Sequence, residues 1–171
     1  DYIRHYGDHN LSGIQLIATP VEFGTPGVKE MFKVPYGETI TGFFSDRILD
    51  NFTTTPLYIS QLTAESLSPE EHQFIFAINM MTPPYVRRAI MERTHEKGEI
   101  LDNSDVFPKI TTPTSIIFGD RDFVLAHEMG AYAHKQIPHS EYHLFEGIGH
   151  TPMLEATEKY NDALQTFLRS L

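Results

Sequence analysis

Apolar positions along the chain change their spacing twice, dividing it into three stretches. In the first, Tyr2, Ile3 and Tyr6 form a short helical stripe with Gly7 placed to end it. After the polar Asp8-His9-Asn10, the run Gly13-Ile14-Gln15-Leu16-Ile17-Ala18 is mostly apolar and closes on Thr19-Pro20, which predicts a short buried strand. Between about Val21 and Phe107 glycine and proline recur (Gly24, Pro26, Gly27, Pro35, Gly37), and short amphipathic pieces replace strand patterns. Two helix starts are marked there. Ser68-Pro69-Glu70-Glu71 combines an N-cap, a proline at N1 and first-turn acids, and predicts a helix running towards Met80. Thr82-Pro83-Pro84 repeats the device ahead of Tyr85 to Met91, with Gly98 as its terminator.

From Pro108 the pattern alternates. Ser115-Ile116-Ile117-Phe118 reads as a strand, and Met129, Tyr132, Ala133 and Ile137 share one helical face. Tyr142-His143-Leu144-Phe145 is a second strand, and Tyr160, Leu164, Phe167, Leu168 and Leu171 stripe a final helix. Two strands joined by one helix should run parallel with a right-handed crossover. No internal repeat or low-complexity segment interrupts the chain.

Composition narrows the classes. A length of 171 residues suits one domain with a sizeable core. With 13 Lys+Arg against 23 Asp+Glu, the net charge of −10 argues against nucleic acid or an anionic membrane surface as the main partner. Apolar residues make up 40% of a chain with 12 Phe and 8 Tyr, a globular composition. The absence of cysteine excludes a disulfide framework, a thiol nucleophile and any Cys-ligated metal. No apolar run is long enough for a membrane span.

The candidate chemistry lies just past the two later strands. Gly119-Asp120-Arg121-Asp122 follows the first and Glu146-Gly147-Ile148-Gly149-His150 the second. If these strands are parallel, their carboxyl ends share one edge of the sheet, the edge outside which ligands bind in open α/β sheets. An acid and an imidazole then project from neighbouring loops. A carboxylate that orients a histidine, and a histidine that takes a proton from a nucleophile, are two thirds of a nucleophilic triad.

Those residues carry a family resemblance. Ile110 to Asp122 resembles the acid-bearing strand and loop of α/β-hydrolase-fold proteins, and Gly147 to Glu155 resembles their catalytic-histidine loop. The spacing of 28 residues between Asp122 and His150 leaves room for one helix and one strand. The resemblance implies an α/β fold: the later strands and helices of an α/β-hydrolase parallel sheet, with a helical cap (lid). Residues 1–20 take the place of the end of the post-nucleophile helix and the next core strand. Residues 21–107 fall where the cap is inserted, and residues 108–171 form the core that bears acid and base. Asp122 and His150 are the implied catalytic acid and base.

Triad order in this family is nucleophile, acid, histidine. No serine in the chain is flanked by glycines as in Gly-x-Ser-x-Gly, so the implied nucleophile is none of these residues. The His-Gly oxyanion segment is likewise missing. The implied function is ester or similar acyl hydrolysis without cofactor, by a serine supplied from an amino-terminal part of the same fold. That part would be in the same protein or a companion chain, and residues 1–171 alone would be inactive and poorly soluble. Its partners are a small apolar or acyl substrate and that missing part. Alternatives within the resemblance are an Asp-nucleophile epoxide hydrolase or dehalogenase, a cofactor-free perhydrolase, a carbon–carbon bond hydrolase, or a non-catalytic binding protein. Some dehalogenases place the acid after the strand preceding the cap. Ala18-Thr19-Pro20 offers none there, which favours Asp122 and the Ser/Asp/His arrangement.

Other motifs read blandly. Asp120 is a turn former. His127-Glu128-Met129-Gly130-Ala131 begins like a zinc helix but has Ala where the second histidine belongs. His134, His139 and His143 are spread over a helix, a turn and a strand, and no metal site is expected. Gly147-Ile148-Gly149 lacks the third glycine of a dinucleotide loop. Arg87-Arg88 reads as a solvated helix face. Phe43, Phe44, Phe52, Phe74, Phe76, Met80 and Met81 read mainly as cap core, with a few left to roof an apolar pocket. Asn10-Leu11-Ser12 and Asn51-Phe52-Thr53 match the N-glycosylation pattern, a weak signal by itself.

Overall fold

The computed structural model describes residues 2–20, 42–95, 103 and 105–171. Gly98 and the glycines and prolines between 24 and 37 lie outside them. Three strands form one sheet in the order β1 (Ile14–Ile17), β2 (Thr114–Gly119), β3 (Glu141–Phe145), with β2 central. Both pairings are parallel, Ile14 opposite Thr114 and Ser115 opposite Glu141. Helix α1 (Tyr2–Tyr6) precedes β1. Helices α2 (Ile48–Ile59), α3 (Pro69–Met81) and α4 (Pro84–His95), with a 3-10 turn at Phe107–Lys109, separate β1 from β2. Helix α5 (Glu128–Gln136) crosses over from β2 to β3, and α6 (Pro152–Glu155) and α7 (Thr157–Ser170) follow.

Every residue of β2 is buried, as expected of a central parallel strand covered on both faces. Ile116 and Phe118 of β2 join Met129 and Ala133 of α5 and Ile137 just past its end in a core that extends to Ile59, Leu62 and Leu125. All four residues of β1 are only half-buried, and β2 is its sole strand partner among the described residues. The α7 stripe is covered to a matching degree. Phe167 is buried and Tyr160 reaches Gln15 Oε1 at 3.1 Å, whereas Leu168 and Leu171 are exposed.

Asp8 fastens the entrance of the sheet. Its buried carboxylate accepts the amide of Thr112 at 2.8 Å and that of Thr111, and Thr112 Oγ1 donates to its backbone carbonyl at 3.0 Å. Those two amides, followed by the threonine hydroxyls, lower its pKa to about 2.

The α3 start follows the capping logic. Ser68 Oγ accepts the Glu71 amide at 3.2 Å, and Glu71 Oε2 accepts the Ser68 amide at 2.9 Å. The inserted helices depart from expectation in three ways. Helix α2 runs through Pro56, which costs one backbone bond but does not end it. Arg87 is not on a solvated face. It is 5% exposed, its guanidinium lies 4.4 Å from the centre of the Phe43 ring, and it donates to Asn51 Oδ1 at 3.2 Å and to the Asn79 carbonyl. Arg88 alone keeps the expected exposure, paired with Asp46 at 2.5 Å. Asn51 is fully buried with its amide on the Ser45 carbonyl at 2.6 Å, so this site of the glycosylation pattern is inaccessible in the fold.

The large apolar side chains of the inserted helices divide. Phe43 packs on Tyr58 with ring centres 4.7 Å apart, while Phe52, Phe74 and Met81 are exposed. No residue of α3 is buried, and Phe74, Ile75 and Ile78 of its apolar face line an open cleft of about 510 Å³.

Candidate active site

Parallel pairing of β2 with β3 puts Gly119 opposite Phe145 and launches the two glycine-bearing loops from the same edge. The loops then touch. Asp120 N donates to the Phe145 carbonyl at 3.1 Å, and Arg121 N donates to the Ile148 carbonyl at 2.9 Å. Asp120 Oδ1 accepts the Gly147 amide at 2.7 Å, so its part is to lace one loop to the other. Gly119 is required by this approach. A Cβ there would stand 2.1 Å from the Ile148 carbonyl oxygen. Gly147 makes the turn with φ of +76°, a conformation that glycine adopts without strain.

The lacing brings Asp122 and His150 together. Asp122 Oδ2 lies 2.8 Å from His150 Nδ1, and Asp122 has no exposed surface. Its other oxygen accepts the amides of Val124 at 2.7 Å and Leu125 at 2.9 Å. The carboxylate is thereby held by the backbone through one oxygen and meets the imidazole through the other. An ionised carboxylate only accepts, so Nδ1 carries the proton in this contact and Nε2 is the nitrogen left for proton transfer. The His150 side chain keeps 18% of its surface, and the pair is screened but reachable through the ring.

The segment between α2 and α3 closes on the same place. The His150 amide donates to the Leu62 carbonyl at 3.0 Å. Glu155 Oε2 accepts the amides of Ala64 at 2.6 Å and Gly149 at 3.0 Å. Arg121 pairs with Glu65 at 2.9 Å on the surface. Tyr58 of α2 lies within electrostatic reach. Burial, then the negative charge of Asp122, raises its phenol above the ordinary value, against an opposing pull from Arg87. The open cleft adjoins the loop through Ile148, Leu154 and Glu155, but neither Asp122 nor His150 lines it.

The other singled-out histidines are scattered. His134 Nδ1 lies 2.8 Å from Ser140 Oγ, His139 Nε2 lies 3.2 Å from the Thr112 carbonyl, and His143 sits 3.5 Å from Glu141. Among the described residues no group of three or more His, Cys, Asp or Glu could hold a metal ion. None of the described helices is long and apolar enough to cross a membrane. Leu62, Tyr58 and Glu155 were not singled out by sequence reasoning. Leu62 acts through a backbone carbonyl, which carries no residue-type signal. The one available signal was the carboxylate at 155, five residues past His150 and inside the resembling segment.

No protein-family model matches the chain. It is 26% identical to Lipase 1 of Psychrobacter immobilis over 95% of its own length and 55% of the lipase. It is 28% identical to a 2-hydroxy-6-oxononadienedioate/2-hydroxy-6-oxononatrienedioate hydrolase of a Pseudomonas species, over 95% of this chain and 52% of that protein. The chain thus spans about half the length of the curated relatives it matches. Among solved structures, the esterase RhEst1 of a Rhodococcus species superposes with a TM-score of 0.83 at 21% identity, covering 99% of this chain and 60% of the esterase. With its parallel three-stranded sheet and helices, the chain carries a portion of the α/β-hydrolase fold.

Proposed function

We propose that this chain supplies the acid and the base of a serine hydrolase acting on a carboxylic ester or similar small acyl substrate. The observation that carries the reading is the 2.8 Å contact between His150 Nδ1 and the fully buried Asp122. In this reading, the helices within residues 42–95 belong to the cap expected over residues 21–107. The nucleophile and the oxyanion donors come from the part of the fold that the chain does not span, in the same protein or a companion chain.

The serine Oγ attacks the substrate carbonyl carbon while His150 Nε2 takes its proton. The tetrahedral oxyanion collapses, the C–O bond to the alcohol breaks, and His150 returns the proton to the departing oxygen. Water then attacks the acyl carbon as the same histidine takes its proton; the bond to the serine Oγ breaks, the carboxylic acid leaves, and His150 returns the proton to the serine. Asp122 holds the ring in the Nδ1–H tautomer and stabilises the imidazolium at each step.

The names of the lipase and esterase relatives support an ester substrate. A second reading, carbon–carbon bond hydrolysis, is favoured by likeness to the relative named for a 2-hydroxy-6-oxo diacid. The apolar wall of the neighbouring cleft, with Leu67, Ile75 and Ile148, is compatible with an acyl chain, but the cleft does not include Asp122 or His150 and does not choose between the two readings.

The test is covalent labelling by a fluorophosphonate of the polypeptide that holds this chain together with the rest of the fold. Labelling at a serine, lost on His150→Ala, is expected. No labelling of the folded protein would sink the serine reading, and an aspartate at the nucleophile position would replace it with epoxide or halide chemistry.

A further inference from the structure

We infer that Glu155 is the positioning residue for His150, holding the histidine loop against the inserted segment so that the imidazole stays aimed at Asp122. Three consecutive backbone amides surround the base, and each has a fixed destination. Gly149 N donates to Glu155 Oε2 at 3.0 Å, His150 N to the Leu62 carbonyl at 3.0 Å, and Thr151 N to Glu155 Oε1 at 3.2 Å. Ala64 N, from the inserted segment, reaches Glu155 Oε2 at 2.6 Å. Thr151 Oγ1 stands 3.1 Å from the Leu62 carbonyl and 3.2 Å from Glu155 Oε1, with one proton to serve both.

The donor set explains why a carboxylate stands there. Three N–H groups converge on two oxygens, and an ionised carboxylate is acceptor-only. An amide in its place would turn an NH2 group towards one of those donors. Glu155 itself is anchored, since its own amide donates to the Thr151 carbonyl at 3.0 Å. The result is a closed ring of bonds through residues 149–155, tied at Leu62 and Ala64 to the segment that follows α2. The bonds of Glu155 go to the amides on either side of His150, so it acts through the backbone that flanks the base. A misplacement of a catalytic group by about 1 Å can cost about a hundredfold in rate.

The role rests on the proposed hydrolase reading, and the test separates the two. Glu155→Ala and Glu155→Gln are made in the polypeptide that holds the whole fold. Turnover of a short p-nitrophenyl ester is measured per fluorophosphonate-labelled site, and proton NMR follows the low-field Nδ1–H signal of His150. For Glu155→Ala, kcat should fall on the order of 10- to 100-fold with KM changed less than about twofold, and the low-field signal should vanish or broaden. Glu155→Gln, which keeps the side-chain volume and one accepting oxygen, should fall between the two. A variant that melts at lower temperature yet keeps wild-type kcat per labelled site and a sharp signal would overturn the inference. If the wild-type protein neither labels nor turns over, the hydrolase reading fails, and the signal alone decides: its loss in Glu155→Ala supports positioning, its persistence refutes it. Should the alanine variant fail to fold, the same two readouts on Glu155→Gln decide.

Discussion

The amide of His150 donates to the carbonyl of Leu62 at 3.0 Å, so the base is held by the segment between α2 and α3 as well as by the strand that precedes it. Sheet and insertion therefore share one residue. A disturbance in either should be read in the Asp122–His150 contact, and the predictions below are chosen on both sides of that link.

Asp122→Asn preserves the oxygen that Val124 and Leu125 need but presents an amide NH2 to the imidazole. The ring then favours the tautomer with Nδ1 unprotonated, which leaves Nε2 unable to accept a proton. Fluorophosphonate labelling of the complete protein should slow on the order of 10³- to 10⁴-fold with the fold intact by circular dichroism. Labelling within tenfold of wild type would remove Asp122 from its proposed role.

Gly119→Ala places a methyl group 2.1 Å from the Ile148 carbonyl oxygen, which is backbone and cannot rotate away. The two loops must separate. Urea unfolding should show a loss of about 1–3 kcal/mol, and the His150 side chain should become more accessible to diethyl pyrocarbonate.

Arg87 and Arg88 are adjacent in sequence and should respond unequally to replacement by lysine. Arg87→Lys gives up the planar fork that reaches Asn51, Asn79 and Phe43 from one buried group. It should cost about 1–3 kcal/mol in chemical unfolding. Arg88→Lys alters an exposed ion pair with Asp46 and should stay within about 0.5 kcal/mol. Equal effects would contradict the packing described for α4.

Asp8 sets an acid limit. Its folded-state pKa of about 2 lies below the ordinary 3.8, so its contribution is complete above about 4 and disappears as pH falls towards 2. Asp8→Asn should lower stability at neutral pH and flatten the stability–pH curve between about 4 and 2. An unchanged slope in that window would mean that the carboxylate is not held by the Thr111 and Thr112 amides.

The strand–helix–strand core was legible because its signals are local. β-branched residues mark β2, the Met129-Ala133-Ile137 face marks α5, and the loops carrying Asp122 and His150 follow each strand directly. The capping box of α3 was legible for the same reason. Arg87 was misread because its partners lie 8 to 44 residues away and are two carbonyls, a side-chain amide and a ring, none of which the Arg-Arg pair announces. Helix α2 was hidden by Pro56, which punctuates the pattern without ending the helix. The stripe on α7 named the residues that can face a neighbour, and only Phe167 is buried, because a stripe says nothing of how much neighbour is present. Glu155 lay inside a quoted segment, but its work is done on backbone amides that every residue possesses.

The complete enclosure of Asp122 has a practical corollary. A carboxyl-directed reagent such as a carbodiimide cannot reach this acid while the imidazole stands in front of it. Its modification therefore reports how often the histidine loop swings away. Followed over time and temperature, that slow chemistry would turn the acid into a clock for loop opening, readable by mass spectrometry without any substrate.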